Sequence, residues 1–175
     1  ITCMGGYGAE YLAENIRRSS VGDQIRFFGT HADPYFLACS TAEVKYLVPW
    51  TKQEEQYIGQ TLAIIKKEKI DLFIPKSDRE VSIVSQQRDR LGCRYFLPDH
   101  AETVASQDKF SFYQILKESS VGAAKTFRIH SLEEIPSLIS LMPGRDRYWV
   151  RVKTPGEAGA VTATWVKTAE QAKMW

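Results

Sequence analysis

Residues 69–80 read Lys69-Ile-Asp-Leu-Phe-Ile-Pro-Lys-Ser-Asp-Arg-Glu80, a pattern that predicts a strand leading directly into a helix. Positions 70–74 are apolar except for Asp71, as expected for a strand covered on both faces. Asp78 and Glu80 then fall at the start of the helix, where carboxylates complement the positive end of the helix dipole. A strand of this kind indicates a parallel sheet with helices packed on it.

The residues on either side extend the same alternation of strands and helices. Further strands are predicted at 1–4, 24–28, 45–48 and 94–97. Helices are predicted after the run Gly5-Gly-Tyr-Gly8, after a capping box formed by Thr51 and Glu54, and from Asp78 to Leu91. Connections of this length imply right-handed crossovers, so residues 1–105 are predicted to form a Rossmann-like, doubly wound parallel sheet.

Polar residues and glycines cluster where these strands end, which is the edge at which such sheets bind ligands. Gly6, Gly8, Ser77, Asp78 and Glu80 are therefore candidate substrate-binding residues. Two alternatives remain open. The glycines can simply turn the chain from strand to helix, and the two carboxylates can simply cap a helix.

The glycine run Gly5-Gly-Tyr-Gly8 also raises the possibility of a dinucleotide site. In the usual motif a third glycine allows close packing of helix on strand, but Tyr11 fills that position here. Asp33 stands just before Pro34, where it suits a turn. An NAD(P)-dependent oxidoreductase is thus a weaker alternative than simple turn glycines.

Residues 106–175 have a different character and are predicted to form an α+β subdomain, with the boundary at about Ala105. A helix is expected at 109–118, a strand at 125–129, and a second helix that begins with a Ser131–Glu134 capping box. Strands at 147–152 and 162–166 flank a loop that contains glycines, and Thr168 with Gln171 begins a last helix. The sequence opens within a strand pattern and stops within this helix, so a fragment of a longer protein is expected.

The loop between the last two strands is a candidate phosphate site. Lys153 stands where the first strand ends, and Gly156 and Gly159 follow it. A lysine supplies positive charge and a glycine loop supplies free backbone N–H groups, which together suit phosphate. The order differs from the Walker motif. An ordinary hairpin with a Pro-Gly turn is the alternative, and Lys109 taken alone is equally consistent with a surface lysine.

The charge, hydropathy and cysteine content of the chain argue against several classes of protein. With 175 residues and a net charge of +2, the chain gives little reason to expect nucleic acid. No apolar run approaches the roughly 20 residues of a membrane helix. The three cysteines and three histidines are scattered, which argues against a disulfide framework or a metal site in this chain and favours a reducing cytoplasm.

Taken in order, these features resemble the ATP-grasp ligases, most closely the carbamoyl-phosphate-synthase-like branch. The resemblance rests on Gly5-Gly-Tyr-Gly8, Asp33-Pro34, the 69–80 run, Asp108-Lys109, and Val150-Arg-Val-Lys153 with its glycine loop. It implies a pre-ATP-grasp domain at 1–105 and a truncated first ATP-grasp subdomain at 106–175.

The resemblance also implies a function for the whole enzyme. ATP would phosphorylate a carboxylate, and an amine would attack the acyl phosphate. Lys109 and Lys153 would contact the nucleotide phosphates, with Gly156 and Gly159 covering them. The Mg²⁺ ligands are expected beyond Trp175, so this chain alone is predicted to be inactive, and no catalytic residue is identified.

The loop between the last two strands differs from the family loop in two ways. The loop is poorer in glycine than the family loop, and Glu157 adds negative charge to it. A non-catalytic nucleotide- or metabolite-binding module stays the main alternative to a ligase. The identities of the carboxylate and amine substrates are left open, as is the oligomeric state, a homo-oligomer included.

Overall fold

The computed structural model describes residues 1–142, 144, 146–152 and 163–175. The fold is mixed α/β. Its α-helices are α1 (Tyr7–Arg17), α2 (Pro34–Cys39), α3 (Glu54–Glu68), α4 (Asp78–Gln86), α5 (His100–Gln107), α6 (Lys109–Glu118), α7 (Ile135–Ser140) and α8 (Ala169–Met174). Its strands are β1 (Phe28–His31), β2 (Val44–Leu47), β3 (Leu72–Phe73), β4 (Arg94–Tyr95), β5 (Tyr148–Arg151) and β6 (Ala163–Val166).

The chain divides into two compact units, residues 1–103 and 104–175. In the first unit β1 pairs in parallel with β2, and β3 pairs in parallel with β4. The predicted parallel pairing is confirmed for these strands. Short strands that pair in this way, with helices between them, follow from the alternating pattern of the sequence.

Residues 1–4 connect the two strand pairs. Thr2 forms a parallel bridge with Thr30 of β1, and the Met4 amide donates to the Thr30 carbonyl at 3.1 Å. On the other side, the Thr2 amide donates to the Ile74 carbonyl, also at 3.1 Å. The hydrogen-bonded order across the unit is therefore β2, β1, segment 1–4, β3 and β4. The predicted first strand is present as this single-bridge segment.

Two apolar clusters stabilise the first unit. One forms under α1 and contains Met4, Ala9, Ala13, Phe27 and Ala42. The other forms under α3 and α4. Its buried members are Val48, Tyr57, Ile58, Ile64, Ile65, Phe73, Ile83, Val84 and Leu91. The helical stripe of Ile58, Leu62 and Ile65 contributes to this second cluster as its spacing predicts.

Several local predictions in the first unit are wrong. The second strand lies at Phe28–His31, because Gly22–Gln24 forms a 3₁₀ turn where the strand was expected to start. The turn expected at Asp33 does form and begins α2, with the Asp33 carboxylate accepting from the Tyr35 amide at 2.8 Å. The helix predicted to reach Leu91 ends at Gln86 and is followed by a 3₁₀ turn, Arg88–Arg90.

Two further predictions fail at β3 and α3. The strand at 70–74 is not covered on both faces, since the Leu72 side chain is 48% exposed. The Thr51–Glu54 capping box does not form. Helix α3 begins at Glu54 with Gln53 as an N-cap that makes no side-chain bond, because residues 50–53 form a turn in which the Gln53 amide donates to the Trp50 carbonyl.

The second unit is built around an antiparallel hairpin. Strands β5 and β6 pair antiparallel, in the register Tyr148↔Val166 to Arg151↔Ala163, which confirms the two strands predicted around the glycine loop. Their inner face packs with α7 and α8 around Ile135, Val166 and Ala172. Helix α6 begins and ends where the sequence predicts.

Two predictions for the second unit are wrong. No strand forms at 125–129, where the Thr126 hydroxyl donates instead to the nearby Ala124 carbonyl, a local bond that competes with strand pairing. The Ser131 side chain caps nothing, since a 3₁₀ turn, Leu132–Glu134, precedes α7. The Thr168 cap does form, with its hydroxyl accepting from the Gln171 amide at 3.3 Å.

No helix in the described part of the chain is both long enough and apolar enough to cross a bilayer.

Candidate functional site

The carboxyl ends of segment 1–4 and β3 meet at one edge of the first unit, where two turns lie together. One turn, residues 3–6, leads into α1, and the other, residues 75–77, leads into α4. Gly6 is the N-cap residue of α1, and its amide donates to the Cys3 carbonyl at 3.1 Å. Gly8 lies inside α1 rather than in the turn. The structure therefore brings Gly6, Ser77 and Glu80 into one region through Cys3.

Glu80 is the centre of this edge. Its side chain is 5% exposed, although it carries a carboxylate. Oε2 accepts from the Thr2 hydroxyl at 2.7 Å, from the Cys3 thiol at 3.1 Å, and from the Ser77 hydroxyl and amide at 2.9 and 3.1 Å. Oε1 accepts from the Tyr57 hydroxyl at 3.0 Å. We call these five residues the Glu80 cluster.

Part of the Glu80 cluster is a complete capping box. The Ser77 hydroxyl accepts from the Glu80 amide while the Glu80 carboxylate accepts from the Ser77 amide, so two free N–H groups of α4 are satisfied reciprocally. The remaining donors come from segment 1–4 and from α3. The cluster thus joins three separate elements, and it stabilises a buried carboxylate with neutral donors.

Ionisation of the neighbouring donors is suppressed by this arrangement. Burial and the adjacent Glu80 carboxylate raise the pKa of the Cys3 thiol from its ordinary value of 9.0 to about 12. The same two causes, burial first, raise the pKa of Tyr57. Both groups therefore stay protonated and act as hydrogen-bond donors, so Cys3 is not a reactive thiolate near neutral pH.

We expect this suppression to make stability fall in alkali. In the unfolded chain Cys3 ionises near its ordinary pKa of 9.0, whereas in the folded chain it holds its proton to about pH 12. The contribution of this group to stability is therefore constant below about pH 9 and falls between there and pH 12, by at most about 1.4 kcal/mol per pH unit. Urea unfolding from pH 8 to 10.5 measures the slope.

The matched comparison uses two cysteines. Cys3→Ser removes the titration of this thiol and should make the slope shallower, while Cys39→Ser, at an exposed cysteine, should leave it unchanged. A slope equal in wild type and Cys3→Ser would show that the thiol is not held protonated.

Asp78, the other predicted carboxylate, is exposed at the first position of α4. It lies outside the Glu80 cluster. The substrate-binding role of Gly6, Gly8, Ser77, Asp78 and Glu80 stays a prediction.

In the second unit, Lys109 stands at the first position of α6. Its side chain is exposed, and Nζ approaches the Ser106 carbonyl at 3.4 Å. No carboxylate of the described ranges makes an ion pair with it. Asp108, the preceding residue, is the N-cap residue, with Oδ1 accepting from the Ser111 amide at 2.8 Å and Oδ2 3.8 Å from Arg128.

The other predicted ATP-binding residues, Lys153, Gly156 and Gly159, lie outside the described residues. The strands that flank them are described, and Arg151 and Ala163 form the last pair of the hairpin before this segment. A lysine and glycines between two paired strands suit an anionic ligand chemically.

The described ranges contain no group of three His, Cys, Asp or Glu side chains placed to hold a metal ion.

Sequence reasoning did not identify three members of the Glu80 cluster, Thr2, Cys3 and Tyr57. Cys3 has a positive φ of 54°, which no sequence pattern signals for a cysteine. Tyr57 precedes Ile58 in α3 and looks like an ordinary core residue. The one available signal was the Ser77-x-x-Glu80 spacing of a capping box.

No family model matches the chain, and no curated protein sequence matches it. Among solved structures, it is similar to the crystal structure of the biotin carboxylase subunit of pyruvate carboxylase, with a TM-score of 0.47 and 14% identity. The likeness covers 91% of this chain and 36% of that one, so the chain spans little more than a third of that protein's length.

Proposed function

We propose that this chain is part of an ATP-dependent ligase of the ATP-grasp type, with a pre-ATP-grasp domain followed by the first ATP-grasp subdomain. The observation that carries the proposal is the β5–β6 hairpin. Its antiparallel register leaves residues 152–162 between the two strands. This segment contains Lys153, Gly156 and Gly159, the residue types that hold and cover phosphate.

Helix α6 supports the same function. Its start places the Lys109 ammonium in solvent without a carboxylate partner in the described ranges, while Asp108 is engaged as the helix cap. Lysine binds phosphate as a point charge, and such a charge is most effective when no ion pair competes for it.

The order of strands in the first unit supports a Rossmann-like head. Numbered along the sequence with segment 1–4 as the first strand, the hydrogen-bonded order β2, β1, segment 1–4, β3, β4 becomes 3-2-1-4-5. This is the order of doubly wound nucleotide-binding sheets.

In the proposed reaction, Lys109 and Lys153 bind and orient the phosphates of ATP, and the backbone N–H groups around Gly156 and Gly159 exclude water from them. Catalysis of phosphoryl transfer depends mainly on such positioning and charge neutralisation. ATP supplies the phosphoryl group that activates a carboxylate as an acyl phosphate, Mg²⁺ neutralises phosphate charge, and an amine is the acceptor. The carbamoyl-phosphate-synthase-like branch is part of the proposal.

The same proposal places the enzyme in the cytoplasm, acting on small molecules rather than on nucleic acid or membranes. Cys3, Cys39 and Cys93 are all free, which suits a reducing compartment.

A binding module that uses the first unit alone is the weaker candidate. The edge between segment 1–4 and β3 is the switch point where such sheets bind phosphate groups. Here the buried Glu80 carboxylate occupies it. Negative charge at that position opposes a phosphate, which also argues against NAD(P).

Nucleotide binding should depend on both lysines. Each charge-assisted contact contributes about 1.5–3 kcal/mol, so Lys153→Ala and Lys109→Ala should each weaken ATP binding by roughly ten- to a hundredfold. Calorimetric titration of the protein with ATP measures the change.

Lys117→Ala is the matched control, because Lys117 is an exposed lysine in the last turn of α6. The double mutant Lys109→Ala/Lys153→Ala should show a non-additive loss if both side chains hold one triphosphate. Wild-type ATP affinity in both single mutants would refute the proposed phosphate contacts.

A further inference from the structure

Another surface of the first unit is lined by none of the five residues of the Glu80 cluster. In the β3–β4 pair, Leu72 lies beside Arg94 and Phe73 beside Tyr95. Phe73 is 5% exposed in the core under α3 and α4, and Tyr95 packs against the same core. Since side chains alternate along a strand, Leu72 and Arg94 face the opposite side of the sheet.

That opposite side is an open apolar groove. Ile74 and Phe96, which follow directly after the two strands, also line it, and Leu12 of α1, Cys93 and Tyr95 complete the lining. The Leu72 side chain is 48% exposed and that of Phe96 is 89% exposed. The groove has a volume of about 680 Å³, within the range of small-molecule sites. We call it the Leu72–Phe96 groove.

Arg94 gives this groove its chemical preference. It is the only charged residue that lines the groove, and no carboxylate of the described residues makes an ion pair with its guanidinium. An unpaired guanidinium beside apolar side chains complements an anion attached to an apolar body. A carboxylate fits best, because its two oxygens match the two-pronged geometry of arginine.

We propose that the Leu72–Phe96 groove binds a small amphipathic carboxylate, with the carboxylate on Arg94 and the apolar body on Leu72, Ile74 and Phe96. Apolar surface on both partners is removed from water, and the charge of the exposed Arg94 is paired with the carboxylate. This site is independent of the proposed ligase activity, since it uses none of the residues assigned to ATP.

Octanoate is the probe, compared with 1-octanol as its uncharged analogue, and binding is measured by calorimetry on the whole chain. Octanoate is expected to saturate one site. Arg94→Gln should weaken octanoate binding about tenfold and leave octanol binding unchanged, because only the charge-assisted contact is lost. Leu72→Asp should abolish binding of both.

Arg90→Gln is the control, because Arg90 lies in the nearby 3₁₀ turn outside the groove and contacts Gln87. It should bind octanoate as wild type does. Octanoate binding that does not saturate, or that is equal in wild type and Arg94→Gln, would overturn the proposal. A different result would also overturn it: wild-type protein that is a dimer in sedimentation equilibrium, and a Phe96→Asp variant that is a monomer. A second copy of the chain would then cover the groove.

Discussion

Replacing Glu80 with alanine is expected to lower the free energy of unfolding by about 4 kcal/mol. The substitution removes the hydrogen bonds to the carboxylate and leaves their buried donors without partners. The Glu80 carboxylate accepts from four side chains and one amide that converge from three elements. Alanine removes every acceptor at once. Thr2 and Tyr57 are almost fully buried, so water cannot readily take the place of the carboxylate as the acceptor for their hydroxyls.

The loss divides into two parts. The part of the capping box that alanine removes is the bond from the Ser77 amide to the carboxylate, which accounts for about 1 kcal/mol, as for a typical hydrogen bond. The remainder comes from the donors of segment 1–4 and α3, which have no other acceptor in the carboxylate's place. Urea unfolding of wild type and Glu80→Ala, followed by circular dichroism, measures the total.

A graded variant tests the assignment. In Glu80→Gln the amide oxygen can replace Oε2 and keep the bonds from Thr2, Cys3 and Ser77. The amide NH₂ then faces the Tyr57 hydroxyl, which can accept as well as donate. This variant should therefore lose clearly less stability than Glu80→Ala. Glu55→Ala, at an exposed glutamate in the first turn of α3, should change stability by no more than about 0.5 kcal/mol. A loss below about 1 kcal/mol in Glu80→Ala would contradict the cluster's role.

The fold was predictable from sequence where periodicity and chain order decide it. The parallel pairs of the first unit, α6 and the β5–β6 hairpin follow from such patterns. Helix starts were less predictable, because a capping box is only a local option. The full capping box forms at Ser77 and the N-cap bond forms at Thr168, whereas neither Thr51 nor Ser131 makes a side-chain cap.

The two capping boxes fail to form because other hydrogen bonds use the same backbone and side-chain groups. At Thr51 the backbone turn of residues 50–53 places Gln53 at the helix start. At Ser131 the Glu134 carboxylate accepts from the His130 amide instead, at 3.2 Å. Local spacing cannot reveal which bond wins, because the outcome depends on how the helix packs.

The candidate site was also only partly predictable from the sequence. Ser77 and Glu80 were found from spacing, but the donors to Glu80 come from 78 and 23 residues away along the chain. No pattern in a single sequence links Thr2 or Tyr57 to that carboxylate. The residues assigned to ATP stay predictions, and the lysine variants above test them.

Gly5→Ala is expected to destabilise the protein by about 3–5 kcal/mol, the sum of backbone strain and overpacking. Gly5 has a φ of +89°, which residues with a β-carbon rarely adopt. A β-carbon at Gly5 would lie 1.7 Å from the Phe36 carbonyl oxygen. That atom belongs to the backbone of α2, so it cannot move aside as a flexible side chain would.

Gly8→Ala is the matched control from the same glycine run. Gly8 lies within α1, and a β-carbon there meets nothing within 4 Å. Alanine should therefore stabilise the helix by about 0.5–1 kcal/mol, because glycine loses more chain entropy on folding. Thermal and urea unfolding of the two variants should give shifts of opposite sign. Equal shifts would mean that the glycine run is merely flexible. Opposite shifts would show that Gly5 makes the turn from segment 1–4 into α1, and that Gly8 has no packing requirement.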